Sequence, residues 1–348
     1  MNQDIHIDID SLIEPVSGYD RPENEPILEP FRYLEAIPGN NQGVRTRFLI
    51  AFNTLYFHIG HKELLDSIGE IISIFHNSSL LIDDIEDSSE YRRGVPAAHT
   101  KYGVPLTINC GNLMYFIALQ KAQITLPDLY KRLNPSLEID MDKHKFETSQ
   151  ILIDEMLNLH HGQGLDIYWR DYLPKDQKDL PLIEDYLSMV KDKTGGLFRL
   201  SIKLLGLFSS RETRDLIPIA NLLGIIYQVR DDYMNLTSTK YSHMKGIKGE
   251  DLVEGKLSLP ILHCLRHSKE SPVHELLYTT KSSDERKAKI ELIADSIEYM
   301  KDVSGSLDFT LNLLHSYHGK VKQMIAATAE ENADDSLLLQ IVDQLCNL

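Results

Sequence analysis

Residues 64–87 read LLDSIGEIISIFHNSSLLIDDIED, and this stretch decides the fold class. Leu64, Leu65, Ile68, Ile71, Ile72, Phe75, Ser79 and Ile82 recur at the three- and four-residue steps that align one face of an α-helix. An apolar stripe of this length predicts a long buried helix, and it runs directly into Asp83, Asp84, Glu86 and Asp87. Asp83 and Asp87 are one turn apart and share a face. Carboxylates crowded in this way repel one another unless something positive lies between them. An isolated acidic run is more often a solvated helix end. Here the apolar residues Leu80, Leu81 and Ile82 precede it and Arg92 and Arg93 follow, a setting suited to hydrated Mg²⁺ and phosphate.

Outward from this segment, helical periodicity continues over residues 106–125, 146–160, 183–193, 197–207, 216–236, 257–267, 288–300 and 307–327. Alternating strand-like stretches are nearly absent, so the expected class is all-α, a single helical bundle around a central cavity. Gly94, Pro96, Pro127, Pro135, Pro174, Pro181 and Pro272 fall between the periodic segments, as short connections require. Pro15, Pro22 and Pro26, with many acids, predict a flexible acidic arm over residues 1–27 ahead of one domain over 28–348.

Thirty-six Lys and Arg face 52 Asp and Glu, a formal charge of −16 that argues against a nucleic-acid partner, whose phosphates need a basic face. Cys110, Cys264 and Cys346 have no metal-ligand spacing and an odd count, so a reducing compartment is expected. The start of the chain, with Asp4, Asp8, Asp10 and Glu14, lacks the pattern of a signal peptide. Apolar runs such as 216–227 are too short and too interrupted to span a bilayer. These features suggest cytoplasmic residence, with peripheral membrane association left open.

A second apolar helix, 219–227, runs into Gln228, Val229, Arg230, Asp231, Asp232, Tyr233, Met234 and Asn235, with Asp231 and Asn235 one turn apart. Two buried helices that each end in oxygen ligands can face each other across a cavity. Mg²⁺ takes few carboxylates and fills its remaining positions with water and phosphate, so a diphosphate would bridge the two ends.

With these residues in view, the chain resembles the trans-isoprenyl diphosphate synthases, and most of all the fungal type that makes geranylgeranyl diphosphate. The resemblance rests on residues 76–87, Arg92-Arg-Gly94, Gly162-Gln-Gly-Leu-Asp166, Lys193-Thr-Gly-Gly196, 228–235 and Glu254-Gly-Lys256, in the family's order from about residue 28 onward. It implies a Mg²⁺-dependent condensation of isopentenyl diphosphate with dimethylallyl, geranyl or, chiefly, farnesyl diphosphate to a C20 product. In that reading Asp83, Asp87 and Asp231 hold the metal, three ions per site, and Asp84 and Asp232 complete the catalytic acids. Arg92, Lys193, Thr194, Gln228, Asn235 and Lys256 would serve the allylic diphosphate, and Arg45, His76 and Arg93 that of isopentenyl diphosphate. Each lone base would otherwise read as a surface charge. Gly195 and Gly196 would allow a kink that aims a carbonyl at the allylic cation, although simple helix packing explains them equally well.

Two departures stand out. The family's Pro-Gly-Lys loop reads Pro38-Gly-Asn-Asn-Gln-Gly-Val-Arg45, with Gln42 where lysine is expected and Arg47 as a substitute cation. The later basic position falls on Lys245 in preference to Lys248. Ser78 and Ser79, about one turn or 5.4 Å below the acidic end, would leave a channel open. Tyr115, Phe116 and His160 would form its floor, which favours C20. A terpene cyclase is disfavoured because Asp231-Asp-Tyr-Met-Asn235 lacks the Ser and Glu steps of that class. A weakly active scaffolding subunit stays open on the altered loop. Resemblance also implies a homodimer or larger homo-oligomer.

Overall fold

The computed structural model describes residues 25–38, 44–173, 177–209, 211–213, 215–238, 248–331 and 333–347, with the backbone alone at 44, 45 and 177. The expected acidic arm therefore lies, apart from residues 25–27, outside the described residues. In chain order the helices are α1 (Glu29–Ala36), α2 (Val44–Phe52), α3 (Lys62–Glu86), α4 (Ala98–Tyr102), α5 (Val104–Gln120), α6 (Leu126–Leu133), α7 (Met141–Asp171), α8 (Ile183–Lys193), α9 (Gly196–Ser209), α10 (Ile217–Thr237), α11 (Glu250–Glu254), α12 (Leu259–His267), α13 (Pro272–Thr279), α14 (Ser283–Lys287), α15 (Ile290–Asp302), α16 (Ser306–Thr328) and α17 (Ser336–Cys346). The fold is all-α, as the periodicity predicts. Among the described residues the strands are β1 (Tyr91–Arg92) and β2 (Val95–Pro96), paired antiparallel.

The stripe of residues 64–82 does become one helix. Leu64, Ile68, Ile71 and Phe75 of α3 are at most 1% exposed, and α3 packs along α5. Ser88, at φ 54°, ends it in the left-handed region. Helix α7 starts at a capping Asp140, whose side chain accepts from the Lys143 amide at 3.0 Å. It lies against α8 and α9, and α10 packs on α8, α9 and α16. One connected apolar core runs through these helices from Leu28 to Cys346. By the usual ~25 cal/mol per Å² of apolar surface removed from water, this continuous burial is the main stabilising term. It also aligns the ends of α3, α8 and α10 at one mouth.

Candidate active site

A cavity of about 580 Å³ opens between α3, α7, the α8–α9 junction and α10. Its mouth carries Asp83, Glu86 and Asp87 from α3, Gln163 from α7, Lys193 and Thr194 from the end of α8, and Gln228, Asp231 and Asn235 from α10. Lys256, Arg92, Arg93 and His76 join them on the polar wall, together with the acids Glu250, Asp251 and Glu254. Deeper in, Ile72, Phe75, Tyr115, Leu159, Leu197 and Phe198 make an apolar wall. A charged mouth above an apolar shaft suits a ligand with an anionic head and a hydrocarbon tail.

The cations of the mouth are held by buried carboxylates. Arg92 donates through Nε to both oxygens of Asp84 at 2.8 Å, and its Nη2 lies 3.4 Å from Asp83 Oδ2. Burial opposes the charge on Arg92, but Asp84 raises its pKa. Asp84 is 1% exposed and does not line the cavity. The reason is helical geometry: Asp83 and Asp87 share the open face, and Asp84 turns about 100° away. The two-residue turn between β1 and β2 has Arg93 at φ 53° and Gly94 at φ 82°, the pairing of positive angles found in tight hairpins. That turn brings Arg92 back onto the acidic end of α3 and sets Arg93 on the cavity wall.

Lys193 Nζ sits 2.6 Å from Asp166 Oδ2 and 3.8 Å from Asp83 Oδ1. Lys256 Nζ is 3.8 Å from both Asp87 Oδ2 and Asp166 Oδ2. Burial works against both lysines, yet the neighbouring carboxylates raise their pKa values, Asp166 first for Lys193 and Asp87 first for Lys256. Burial alone would raise the pKa of Asp166, but Lys193 and Lys256 lower it overall. Thr194 Oγ1 donates to Gln228 Oε1 at 3.0 Å, and Gln228 Nε2 donates to Asp232 Oδ1 at 2.9 Å. Asp232 is buried behind the wall, where it also accepts from Tyr186 Oη and, at 2.8 Å, from the Leu259 amide. It supports Gln228 and, without lining the main cavity, borders a small recess shared with Asp166, Lys193 and Lys256. Asn235 lines the cavity, and its Oδ1 accepts from the Asp251 amide at 3.1 Å.

Ser79, Tyr115 and His160 line the shaft, with the Tyr115 and His160 rings 5.5 Å apart. Two of the expected chain-length residues do not. Ser78 is fully buried off the wall with Oγ on the Ile74 carbonyl, and Phe116 is 65% exposed on the outer surface of α5. In each case a neighbour in sequence takes the inward position, as 100° per residue dictates. The side chain of Arg45, and Gln42 and Lys245, lie outside the described residues. Arg47 bonds to Gln344 at 2.7 Å and Gln340 at 3.4 Å, and Lys248 is exposed, so neither lines the cavity.

Sequence reasoning assigned no role to three residues of α7. Gln163 Nε2 donates to Glu86 at 2.8 Å and Asp83 at 3.1 Å, Asp166 pairs with Lys193, and Arg170 donates to Asp87 Oδ1 at 2.7 Å and the Glu86 carbonyl at 3.0 Å. Their spacing of three and four residues was a usable signal: polar groups recurring on one face of the helix.

Comparison with known proteins adds a decisive observation: residues 24–297 match the polyprenyl synthetase family. The chain belongs to that family. It is 39% identical over 288 residues to a geranylgeranyl pyrophosphate synthase of Mucor circinelloides f. lusitanicus, covering 81% of this chain and 85% of that protein. It is 41% identical over 299 residues to one from Macrophomina phaseolina, covering 80% and 83%, and 38% identical over 328 residues to one from Hericium erinaceus, covering 92% and 91%. As a polyprenyl synthetase the chain is a prenyl-transferring enzyme.

Proposed function

We propose that this polyprenyl synthetase condenses isopentenyl diphosphate with an allylic diphosphate, chiefly farnesyl diphosphate, to give geranylgeranyl diphosphate. The observation that carries the reading is the single cavity whose mouth gathers Asp83, Asp87, Asp231, Lys193, Lys256, Arg92 and Arg93 above an apolar shaft. The names of the similar fungal synthases point the same way.

Mg²⁺ fits the donor set. Asp83 and Asp87 on one wall and Asp231 on another supply the hard oxygen donors that Mg²⁺ prefers, and an ion bound there would replace the contacts that Asp83 makes with Gln163 and Asp87 with Arg170 and would be completed by water and substrate phosphate. When bound there, the metal would neutralise the diphosphate and make it a better leaving group. Lys193, Lys256, Thr194, Gln228, Asn235 and Arg92 would hold the allylic diphosphate, and Arg93, His76 and Arg45 that of isopentenyl diphosphate. The allylic C–O bond breaks and leaves a carbocation on the tail in the shaft. The isopentenyl double bond attacks it, forming the new C–C bond, and proton loss to the departed diphosphate restores an alkene. Fixed cations at the leaving group are the main electrostatic device. The shaft wall excludes the water that would quench the cation.

The outer surface supports a homodimer. Phe116 of α5 and Phe146, Ile153, Leu157 and Tyr168 of α7 expose between 39% and 67% of their surface on two adjacent helices. A cytoplasmic location is supported by three buried cysteines without disulfides. No helix among the described residues is long and apolar enough to cross a membrane.

The test is a product assay with purified chain, Mg²⁺, labelled isopentenyl diphosphate and each allylic diphosphate in turn. A C20 alcohol after dephosphorylation, abolished by Asp83→Ala or Asp231→Ala, is expected. No condensation by the chain alone would favour a scaffolding subunit.

A further inference from the structure

Helix α8 stops at Lys193 and α9 begins at Gly196, so Thr194 and Gly195 form a break in what would otherwise be one helix. The break presents Lys193 and Thr194 to the cavity. Interrupting a helix inside a core leaves carbonyls without helical partners, an arrangement that persists only where something else satisfies them.

Arg199, on the first turn of α9, supplies that partner. Its Nη1 donates to the Lys191 carbonyl at 2.7 Å and to Asn221 Oδ1 of α10 at 3.0 Å. Its Nε donates to Glu155 Oε2 of α7 at 2.9 Å, and Nη2 lies 2.7 Å from the same oxygen. Glu155 is fully buried and also takes Lys203 Nζ at 2.6 Å. One planar guanidinium thus ties α7 and α10 to the end of α8, in two directions that a lysine cannot serve together.

The backbone of the break is gripped as well. A Cβ on Gly224 of α10 would lie 2.5 Å from Gly195 Cα, and one on Gly162 of α7 would lie 2.5 Å from the Lys193 amide nitrogen. A Cβ on Gly195 itself would fall 2.4 Å from the Lys191 oxygen and 2.7 Å from Arg199 Nη1. Close approach by glycine sets how deep the break sits, and the guanidinium sets its carbonyl direction.

We propose that Arg199, with Glu155 and Asn221, is a positioning cluster for the substrate-facing break, acting through Lys193 and Thr194. The cluster does not line the cavity, so it touches no substrate. Buried ion pairs are often replaceable by apolar groups without loss of stability, which makes stability alone a weak reason for this one. The proposal rests on the reading of the mouth as an allylic diphosphate site.

The test uses full-length Arg199→Gln, Arg199→Lys, Glu155→Gln and Asn221→Ala, the last removing an acceptor without stranding a buried charge. Expected for the first three are a kcat lower by about 10- to 100-fold and a higher KM for farnesyl diphosphate, with the KM for isopentenyl diphosphate within about twofold of wild type. Arg199→Lys keeps the charge and loses the fork, so it stays within about threefold of Arg199→Gln. Asn221→Ala, which leaves the Arg199–Glu155 ion pair intact, shows the same split at about threefold to tenfold. Hydrogen exchange at the amides of residues 193–197 rises in each variant, a readout independent of turnover. Unchanged exchange at those amides, or both KM values moving together, overturns the proposal. A wild-type chain that does not condense its substrates sinks the functional reading instead and leaves the exchange result to decide the cluster.

Discussion

Asp84 and Arg92 illustrate how the site is built at the scale of single residues. The carboxylate is 1% exposed and accepts twice from Nε of Arg92, so it aims the guanidinium at the mouth and takes no place on the wall. Asp84→Asn keeps the shape but removes the charge, and charge-assisted bonds of this kind contribute about 1.5–3 kcal/mol. The KM for the allylic substrate is expected to rise roughly 10- to 100-fold in steady-state assays, with little change for isopentenyl diphosphate. Asp251 gives a pH signature. Burial pushes its carboxyl up to about 8; Lys256 opposes the shift, while Asp232, Asp231 and Glu250 add to it. Between the ordinary carboxylate pKa, about 3.9, and 8 the folded chain holds a proton that the unfolded chain lacks, so stability of the metal-free protein falls as pH rises through that window and levels off above it. Asp232, pushed up to about 6 by burial, adds to the slope below that pH, so thermal unfolding of Asp251→Asn should lose the slope chiefly between about 6 and 8; a slope unchanged there would assign it to another group. Asp83, Asp87, Asp231, Lys193 and Lys256 were legible from the sequence because a run of acids or a motif marked them. Asp84 and Asp232 carried the same mark, and only the rotation of each helix about its axis separates wall from support.

At the scale of elements, glycines and turns do what apolar periodicity cannot reveal. Gly224→Ala puts a methyl 2.5 Å from the Gly195 Cα, which is backbone and cannot rotate away. Overpacking of this kind costs about 1–3 kcal/mol, and a lower melting temperature with reduced turnover is expected. A variant as stable and as active as wild type would contradict the close approach. Periodicity located the cores of the helices well: 216–236 was expected where α10 spans Ile217–Thr237, and 307–327 where α16 spans Ser306–Thr328. For α7 it stopped at residue 160, whereas the helix continues to Asp171. The cause is the site itself, since Gln163, Asp166 and Arg170 put polar groups where an apolar stripe would continue. The β1–β2 turn carried the Arg-Arg-Gly signature, but its two-stranded form depends on a left-handed Arg93 that propensity does not favour.

At the scale of the whole molecule, α7 meets the core on one side and exposes Phe146, Ile153, Leu157 and Tyr168 on the other. A helix apolar on two sides calls for two partners, and the second is proposed to be another copy of the chain. Leu157→Glu is expected to halve the mass seen by light scattering on a sizing column, and an unaltered oligomer would place the interface elsewhere. The all-α class and the shared mouth were legible from the two acidic helix ends, whereas the outer face was not, because an exposed and a buried stripe look alike in sequence. We propose that these scales meet in one device: the charged mouth ionises the allylic diphosphate, and the apolar shaft lined by Ser79, Tyr115 and His160 sets the product length. The most direct measurement compares product chain length from wild type and Ser79→Phe with farnesyl, geranyl and dimethylallyl diphosphates. C20 is expected from wild type and a shift to C15 from the variant when the shorter allylic substrates are supplied, with condensation itself retained; a wild type that stops at C15 or runs past C20, or a variant that still makes C20, would overturn this reading.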